Sequence, residues 1–217
     1  MYRDSLKPKT TYPSHLARHL SATYFPKSAT SVLDIGAGRG ELVQELASIG
    51  YNCTALDDPK LSLDSRIPGV QRVWEAFDKN SFESTSQTFD VVILKSVIEH
   101  MSDPVGLLVK ASRLLSDEGR ILVLTPDWVR NKSRFYDDHT HIVPFTRRSL
   151  MNAMLVAGLY GPTVDYLIPL PRTWRHPMLA RASQIIGPLV PPSVEWRPLR
   201  WSRERQLLGI AARRKAS

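Results

Sequence analysis

The stretch Val32-Leu33-Asp34-Ile35-Gly36-Ala37-Gly38-Arg39-Gly40-Glu41 runs a short apolar segment straight into three alternate glycines. Glycines at this spacing let the backbone turn tightly and let a ligand approach without meeting Cβ atoms. The residues from Arg39 to Ile49 follow as an amphipathic helix with Leu42, Leu46 and Ile49 on one side, closed by Gly50. The helix N-terminus therefore faces whatever the glycine turn holds. A dinucleotide site prefers Gly-x-Gly-x-x-Gly, with a pyrophosphate resting on the helix dipole. Here Asp34 precedes the first glycine and Glu41 follows the third. Two carboxylates would repel a pyrophosphate and suit a cationic or polyhydroxyl ligand.

Outward from this turn, apolar runs alternate with helix-length segments. Ser31–Ile35, Cys53–Leu56, Val70–Trp74, Phe89–Leu94 and Arg120–Leu124 read as strands, and Val164–Ile168 and Gln206–Ala211 as later candidates. Helices are predicted from Ser14 (as N-cap), from Pro104 to Leu115, and from Thr146 to near Gly158. Strands separated by helices need crossover connections, so the fold class is α/β, a doubly wound, Rossmann-like and mostly parallel sheet. Asp57 lies 21 residues after Gly36, at the end of the second strand, where a carboxylate can accept hydrogen bonds from both hydroxyls of a ribose. Asp58 is the weaker neighbour.

The chain of 217 residues is long enough for one self-sufficient core, and 1–217 is expected to be a single domain. Cys53 is its only cysteine, which excludes an intramolecular disulfide framework and a cysteine-cluster zinc site. The first ten residues carry charges at both ends and no apolar core, unlike a secretory signal. Nothing approaches the ~18 apolar residues of a membrane span. A cytoplasmic protein is expected.

On these residues the sequence resembles the class I S-adenosylmethionine-dependent methyltransferases over residues 30 to about 160. Asp34-Ile-Gly-Ala-Gly-Arg-Gly40 looks like the family's first motif and Asp57 like its ribose-binding acid. Phe89-Asp-Val-Val-Ile-Leu-Lys-Ser-Val-Ile-Glu99-His100-Met-Ser-Asp-Pro104 is similar to the segment after strand four in small-molecule methyltransferases, the ubiquinone-pathway O-methyltransferases among them. Asp138-His139-Thr140-His141-Ile-Val-Pro144-Phe145-Thr146 looks like a segment after strand five in the same group. The resemblance implies a seven-stranded sheet with an antiparallel last strand, Gln206–Ala211. It implies S-adenosylmethionine as cofactor, cradled by Asp34, Gly36, Gly38, Gly40 and Asp57, with Lys95 and Ser96 lining its methionine end through backbone atoms. Glu75, Phe77 and Asp78 compete for the adenine.

Methyl transfer to a hydroxyl also requires a base, usually histidine near neutral pH. His100 and His141 occupy the loops after strands four and five, where ligands bind in open α/β sheets, and are the candidate catalytic residues. His100 has the alternative of fixing the Asp103-Pro104 turn; His139 is the weaker candidate, and His15 and His19, four apart on the first helix, read as a solvated helix face or as part of a lid. Some relatives hold a divalent ion with Glu-x-x-Glu-His. Here the first acid is replaced by Ser96, which leaves Glu99, His100 and His141 as an incomplete set, so the use of a metal is undecided.

The net charge of +8 is confined to one end. Residues 171–217 hold nine Arg and one Lys against two Glu, whereas residues 1–170 hold 19 basic and 19 acidic side chains. Residues 171–202 form a Trp- and Arg-rich insertion before the last strand, and residues 1–28 an N-terminal helix or lid. Within the insertion Met178, Ala182, Ile185, Ile186 and Leu189 recur at helical spacing, near Trp174, Arg172, Arg175 and Arg181, with Arg197 and Arg200 farther on. A packed lid helix is one reading. Peripheral contact with an anionic membrane is the second. Nucleic acid is disfavoured, because lysine is nearly absent and no RNA-binding motif is present. The expected function is a methyltransferase acting, most naturally at oxygen, on a small or lipid-linked acceptor; an RNA methyltransferase and a non-catalytic cofactor-binding subunit are the alternatives.

Overall fold

β-Branched and leucine-rich runs supply the strands, and their two side-chain faces build two cores. The computed structural model describes residues 10–57, 69–74 and 87–213. Its strands are β1 (Ser31–Ile35), β2 (Asn52–Asp57), β3 (Val70–Trp74), β4 (Phe89–Lys95), β5 (Leu115–Pro126), β6 (Tyr160–Leu167) and β7 (Gln206–Ala212). They form one seven-stranded sheet in the order β3-β2-β1-β4-β5-β7-β6. All pairs from β3 to β5 are parallel; β7 runs antiparallel to both β5 and β6. This is the Rossmann-like arrangement expected, including the antiparallel last strand.

Alternation along β1 and β4 divides the apolar side chains. Leu33, Ile35, Val92 and Leu94 face α3 (Pro104–Arg113) and α5 (Arg147–Val156). Val32, Val91 and Ile93 face α1 (Tyr12–Tyr24) and α2 (Glu41–Ser48). A sheet covered on both faces needs such continuous apolar strands. Chain order reverses beside β1, with β2 and β3 on one side and β4 onward on the other. That reversal opens a crevice at the carboxyl ends of the strands, above the glycine turn.

Several boundaries differ from expectation for identifiable reasons. α1 begins at Tyr12 with Thr11, not Ser14, at the N-cap, because Pro13 fits the first helical turn where its missing N–H costs nothing. α2 starts at Glu41, since Gly38 and Gly40 adopt φ of +55° and +70° and cannot yet be helical. α3 stops at Arg113, and β5 begins at Leu115, before the Asp117-Glu118-Gly119 turn, which is absorbed as a register shift against β4. β2 includes Asp57 instead of ending at Leu56, and β6 begins at Tyr160. The 171–202 insertion is ordered into α6 (Pro171–Arg175), α7 (Pro177–Ile186) and α8 (Arg197–Arg203), after the short α4 (Trp128–Asn131) farther upstream.

Candidate active site

The glycine turn is pinned over the end of β2. The Gly36 N–H donates to the Leu56 carbonyl at 2.8 Å, and the Gly38 N–H donates to Asp57 Oδ2 at 2.6 Å. Gly36 has φ +72°, and a Cβ there would lie 2.3 Å from Val97 Cγ2, so the turn is built against the segment following β4. Gly38, at φ +55°, has nothing within 4 Å of where its Cβ would be. One glycine thus permits packing, and the other leaves room. Ser96, just beyond β4, is the one described non-glycine residue with positive φ, +55°. Backbone held there is costly for a residue with a Cβ and clusters at ligand sites.

These residues border a cleft of about 670 Å³, in the size range of small-ligand sites. Asp34, Gly36, Gly38, Lys95 and Ser96 line it. Gly40 does not; it caps α2. Asp57 is buried behind the turn it holds. Burial pushes the Asp34 carboxyl up to about 7, with Lys95 pulling it down and Asp57 adding to the rise. Glu41 pairs with Arg39 at 2.6 Å, so its charge is largely neutralised and Asp34 and Asp57 set the electrostatics of the turn. Asp58 and the adenine candidates Glu75, Phe77 and Asp78 lie outside the described residues.

His100 and His141 are brought together beside the cleft, not in its lining. The Ile142 and Val143 N–H groups both donate to the Glu99 carbonyl, at 2.8 and 3.0 Å, which ties the post-β5 loop to the Ile98–His100 3-10 turn. The imidazoles then lie 4.7 Å apart, centroid to centroid. His141 Nδ1 bonds the Phe135 carbonyl, and His100 Nδ1 bonds Thr140 Oγ1 at 2.9 Å and the Thr140 carbonyl at 3.2 Å. A carbonyl only accepts, so both rings carry their proton on Nδ1 and keep Nε2 as the basic atom. His100 does not fix the Asp103 turn; Asp103 caps α3 by accepting from the Gly106 N–H at 2.8 Å. Glu99 is fully buried, with Oε2 accepting from Thr125 Oγ1 at 2.8 Å and Oε1 without a hydrogen-bond partner. Burial raises its pKa against the opposing pull of Thr125, His141 and Lys95.

Ligand atoms of Glu99, His100 and His141 all lie within 4.8 Å of one another. An orphaned buried carboxylate oxygen beside two oriented imidazoles is a donor set that fits a divalent cation, although one hard ligand short of the Glu-x-x-Glu-His pattern. His139 is exposed. His19 is not on a solvated face: its ring stacks on Trp174 at 4.6 Å, and burial lowers its pKa.

The far wall of the cleft joins the N-terminal helix to the 171–202 insertion, a contact between two segments each read from the sequence as a possible lid. Tyr12 from α1 and Trp201 from α8 both line it, their rings 6.3 Å apart, with Trp174 5.9 Å from Tyr12. Arg200, one of the arginines of the cationic insertion, pairs with Glu204 at 3.0 Å and Glu195 at 3.3 Å, and Arg203 with Glu204 at 2.9 Å. A cluster of aromatic residues far apart in the chain was a possible cue, but only the fold assembles it.

A profile for the methyltransferase domain matches residues 10–161, more than two thirds of the chain and every element that frames the glycine turn. The chain belongs to the methyltransferase domain family. A ubiquinone biosynthesis O-methyltransferase of Actinobacillus pleuropneumoniae is 28% identical over 128 residues, covering 52% of this chain and 55% of that protein. The chain spans about half the length of the curated relatives it matches. Among solved structures, an S-adenosylmethionine-dependent methyltransferase from Archaeoglobus fulgidus superposes with TM-score 0.62 at 16% identity, covering 92% of this chain and 93% of that one. The plantazolicin methyltransferase BamL, solved with a substrate analogue and S-adenosylhomocysteine, gives 0.62 at 16% identity, covering 98% and 88%. At such identities these structures speak for the fold alone.

Proposed function

We propose that the chain is an S-adenosylmethionine-dependent methyltransferase that methylates an oxygen of a small or lipid-linked acceptor. The observation that carries the reading is the glycine turn locked onto Asp57 at the mouth of a cleft whose floor holds the buried acid Asp34. Asp57 holds the Gly38 N–H from behind the turn and reaches the ribose hydroxyls once that turn shifts, and Gly38 leaves the space that a nucleoside needs. Asp34 offers a carboxylate to a cationic cofactor, and the backbone at Lys95 and Ser96 borders its methionine end. The bound cofactor supplies an electrophilic methyl on a sulfonium.

The protein's share is alignment, exclusion of water and removal of the acceptor proton. α1 and α8 close over the cleft through Tyr12 and Trp201, which suits an apolar acceptor. Holding nucleophile and methyl in line contributes up to about 7–11 kcal/mol. Nε2 of His100 or His141 takes the hydroxyl proton, since each Nδ1 is already committed to a carbonyl. In the alternative, Glu99, His100 and His141 would together hold a divalent ion; their imidazoles would then be ligands and not bases, and the ion would lower the pKa of the acceptor hydroxyl. The likeness to ubiquinone-pathway O-methyltransferases supports oxygen as the methylated atom. The test is incubation with isotopically labelled cofactor, a lipid extract, simple catechols and RNA, with products read by mass spectrometry. A labelled methyl on an ether oxygen of an extracted lipid or catechol supports the proposal; label in RNA alone, or none with cofactor bound, defeats it.

A further inference from the structure

α7 is inside out. Amphipathic helices on soluble proteins turn apolar residues inward and polar ones to water. In α7 the only buried residue is Ser183, whereas Met178, Leu179, Ile185 and Ile186 are 83%, 46%, 71% and 44% exposed. Leu189, in the 3-10 turn that continues the helix, is 78% exposed. Helical spacing sets Met178, Ala182, Ile185 and Leu189 in one row. The inward attachment is polar: Ser202 Oγ of α8 donates to Ser183 Oγ at 3.2 Å.

Along the chain, the charges flanking the row are all of one sign. No acidic residue occurs between Asp165 and Glu195, and Arg172, Arg175 and Arg181 are exposed in that interval. A second copy of this chain would bring the same arginines against one another in a two-fold interface, which opposes self-association. α7 has ten residues, and among the described residues no helix is long and apolar enough to cross a membrane. We infer that α7 and the following turn dock this protein in the headgroup layer of an anionic lipid bilayer, with Met178, Ile185 and Leu189 inserted and Arg172, Arg175 and Arg181 on the phosphates.

Docking there also bears on the cleft. α8, bonded to the inner side of α7 through the serines, supplies Trp201 to the cleft wall, so α7 stands between the docked bilayer and the element that covers the acceptor end. The docking itself stands on the α7 surface and does not require methyl transfer.

The test is flotation of the full chain with vesicles of phosphatidylglycerol in phosphatidylcholine, against phosphatidylcholine alone. Each arginine near an anionic surface strengthens partitioning by roughly fivefold. The expected result is binding to the anionic vesicles that weakens with added salt. Arg175→Glu with Arg181→Glu, and separately Ile185→Asp with Leu189→Asp, should each lower it by more than about tenfold. These side chains are exposed, so an unchanged thermal shift with S-adenosylhomocysteine verifies the fold. Vesicle binding without any such shift in the parent supports the docking while counting against the cofactor assignment. No binding by the parent, equal binding to both vesicle types, or parental binding by both variants overturns the inference. So does a concentration-dependent dimer, without vesicle binding, that Ile185→Asp abolishes.

Discussion

Replacing Asp34 by Asn probes the floor of the cleft without changing its shape. Asp34 is buried, and its carboxyl is raised from 3.8 to about 7. A carboxyl raised on folding is protonated in the native chain while the unfolded chain is already ionised. Its cost is therefore absent below pH 4, grows between pH 4 and 7, and is constant above. The full cost is about 4 kcal/mol, of which about 2–3 kcal/mol accrues between pH 5 and pH 8. Asn carries none of it. Urea unfolding of the ligand-free protein at both pH values should show Asp34→Asn more stable than the parent, with the gap widening by that amount at pH 8. In the proposed complex a cationic cofactor favours the ionised acid, so S-adenosylmethionine binding near pH 6 should release a proton, visible by calorimetry in buffers of different ionisation enthalpy. The variant should bind more weakly and release none. Parallel pH profiles for parent and variant would refute the reasoning.

Gly36→Ala should destabilise the fold by about 2–4 kcal/mol, because the new Cβ meets Val97 and the residue must hold a positive φ. Gly38→Ala should cost only about 1–2 kcal/mol of stability in thermal unfolding but lose most cofactor affinity, since its Cβ enters open space that the ligand would fill. His100→Ala or His141→Ala should lower turnover by roughly 10²–10⁴-fold with cofactor affinity intact. If Glu99 and the two histidines hold a metal, a chelator should abolish turnover and Glu99→Gln should match the histidine variants; full activity in the double histidine variant removes both roles.

The elements that carry strong local patterning were legible. β1 and β4 announce themselves as continuous apolar runs, and alternate glycines followed by an acid at the end of β2 locate the ligand turn. What failed to show was tertiary. Whether Ser14 or Thr11 caps α1 depends on how Pro13 seats the first turn, and the start of β5 depends on pairing with Phe89 across a register shift. Apolar spacing revealed α7 as a helix but not its orientation, because the period is the same whether the stripe faces inward or outward. Tyr12 and Trp201 are 189 residues apart and meet only when α8 closes over α1. His100 and His141 were readable as residues of the loops after β4 and β5, whereas their approach to each other and the orphaned Glu99 Oε1 near them were not. The pairing of Arg200 with Glu195 and Glu204 likewise depends on how the chain folds back on itself around α8.

The central claim is that the turn of Gly36, Gly38 and Asp57 holds the nucleoside of S-adenosylmethionine. Calorimetric titration with S-adenosylhomocysteine, for the parent and Asp57→Ala, tests it most directly. Hydrogen bonds to a charged acceptor contribute about 1.5–3 kcal/mol, so the account predicts saturable one-to-one binding by the parent and roughly 10–100-fold weaker binding by the variant. Binding of NAD in place of S-adenosylhomocysteine, or equal affinity in the two proteins, would contradict it.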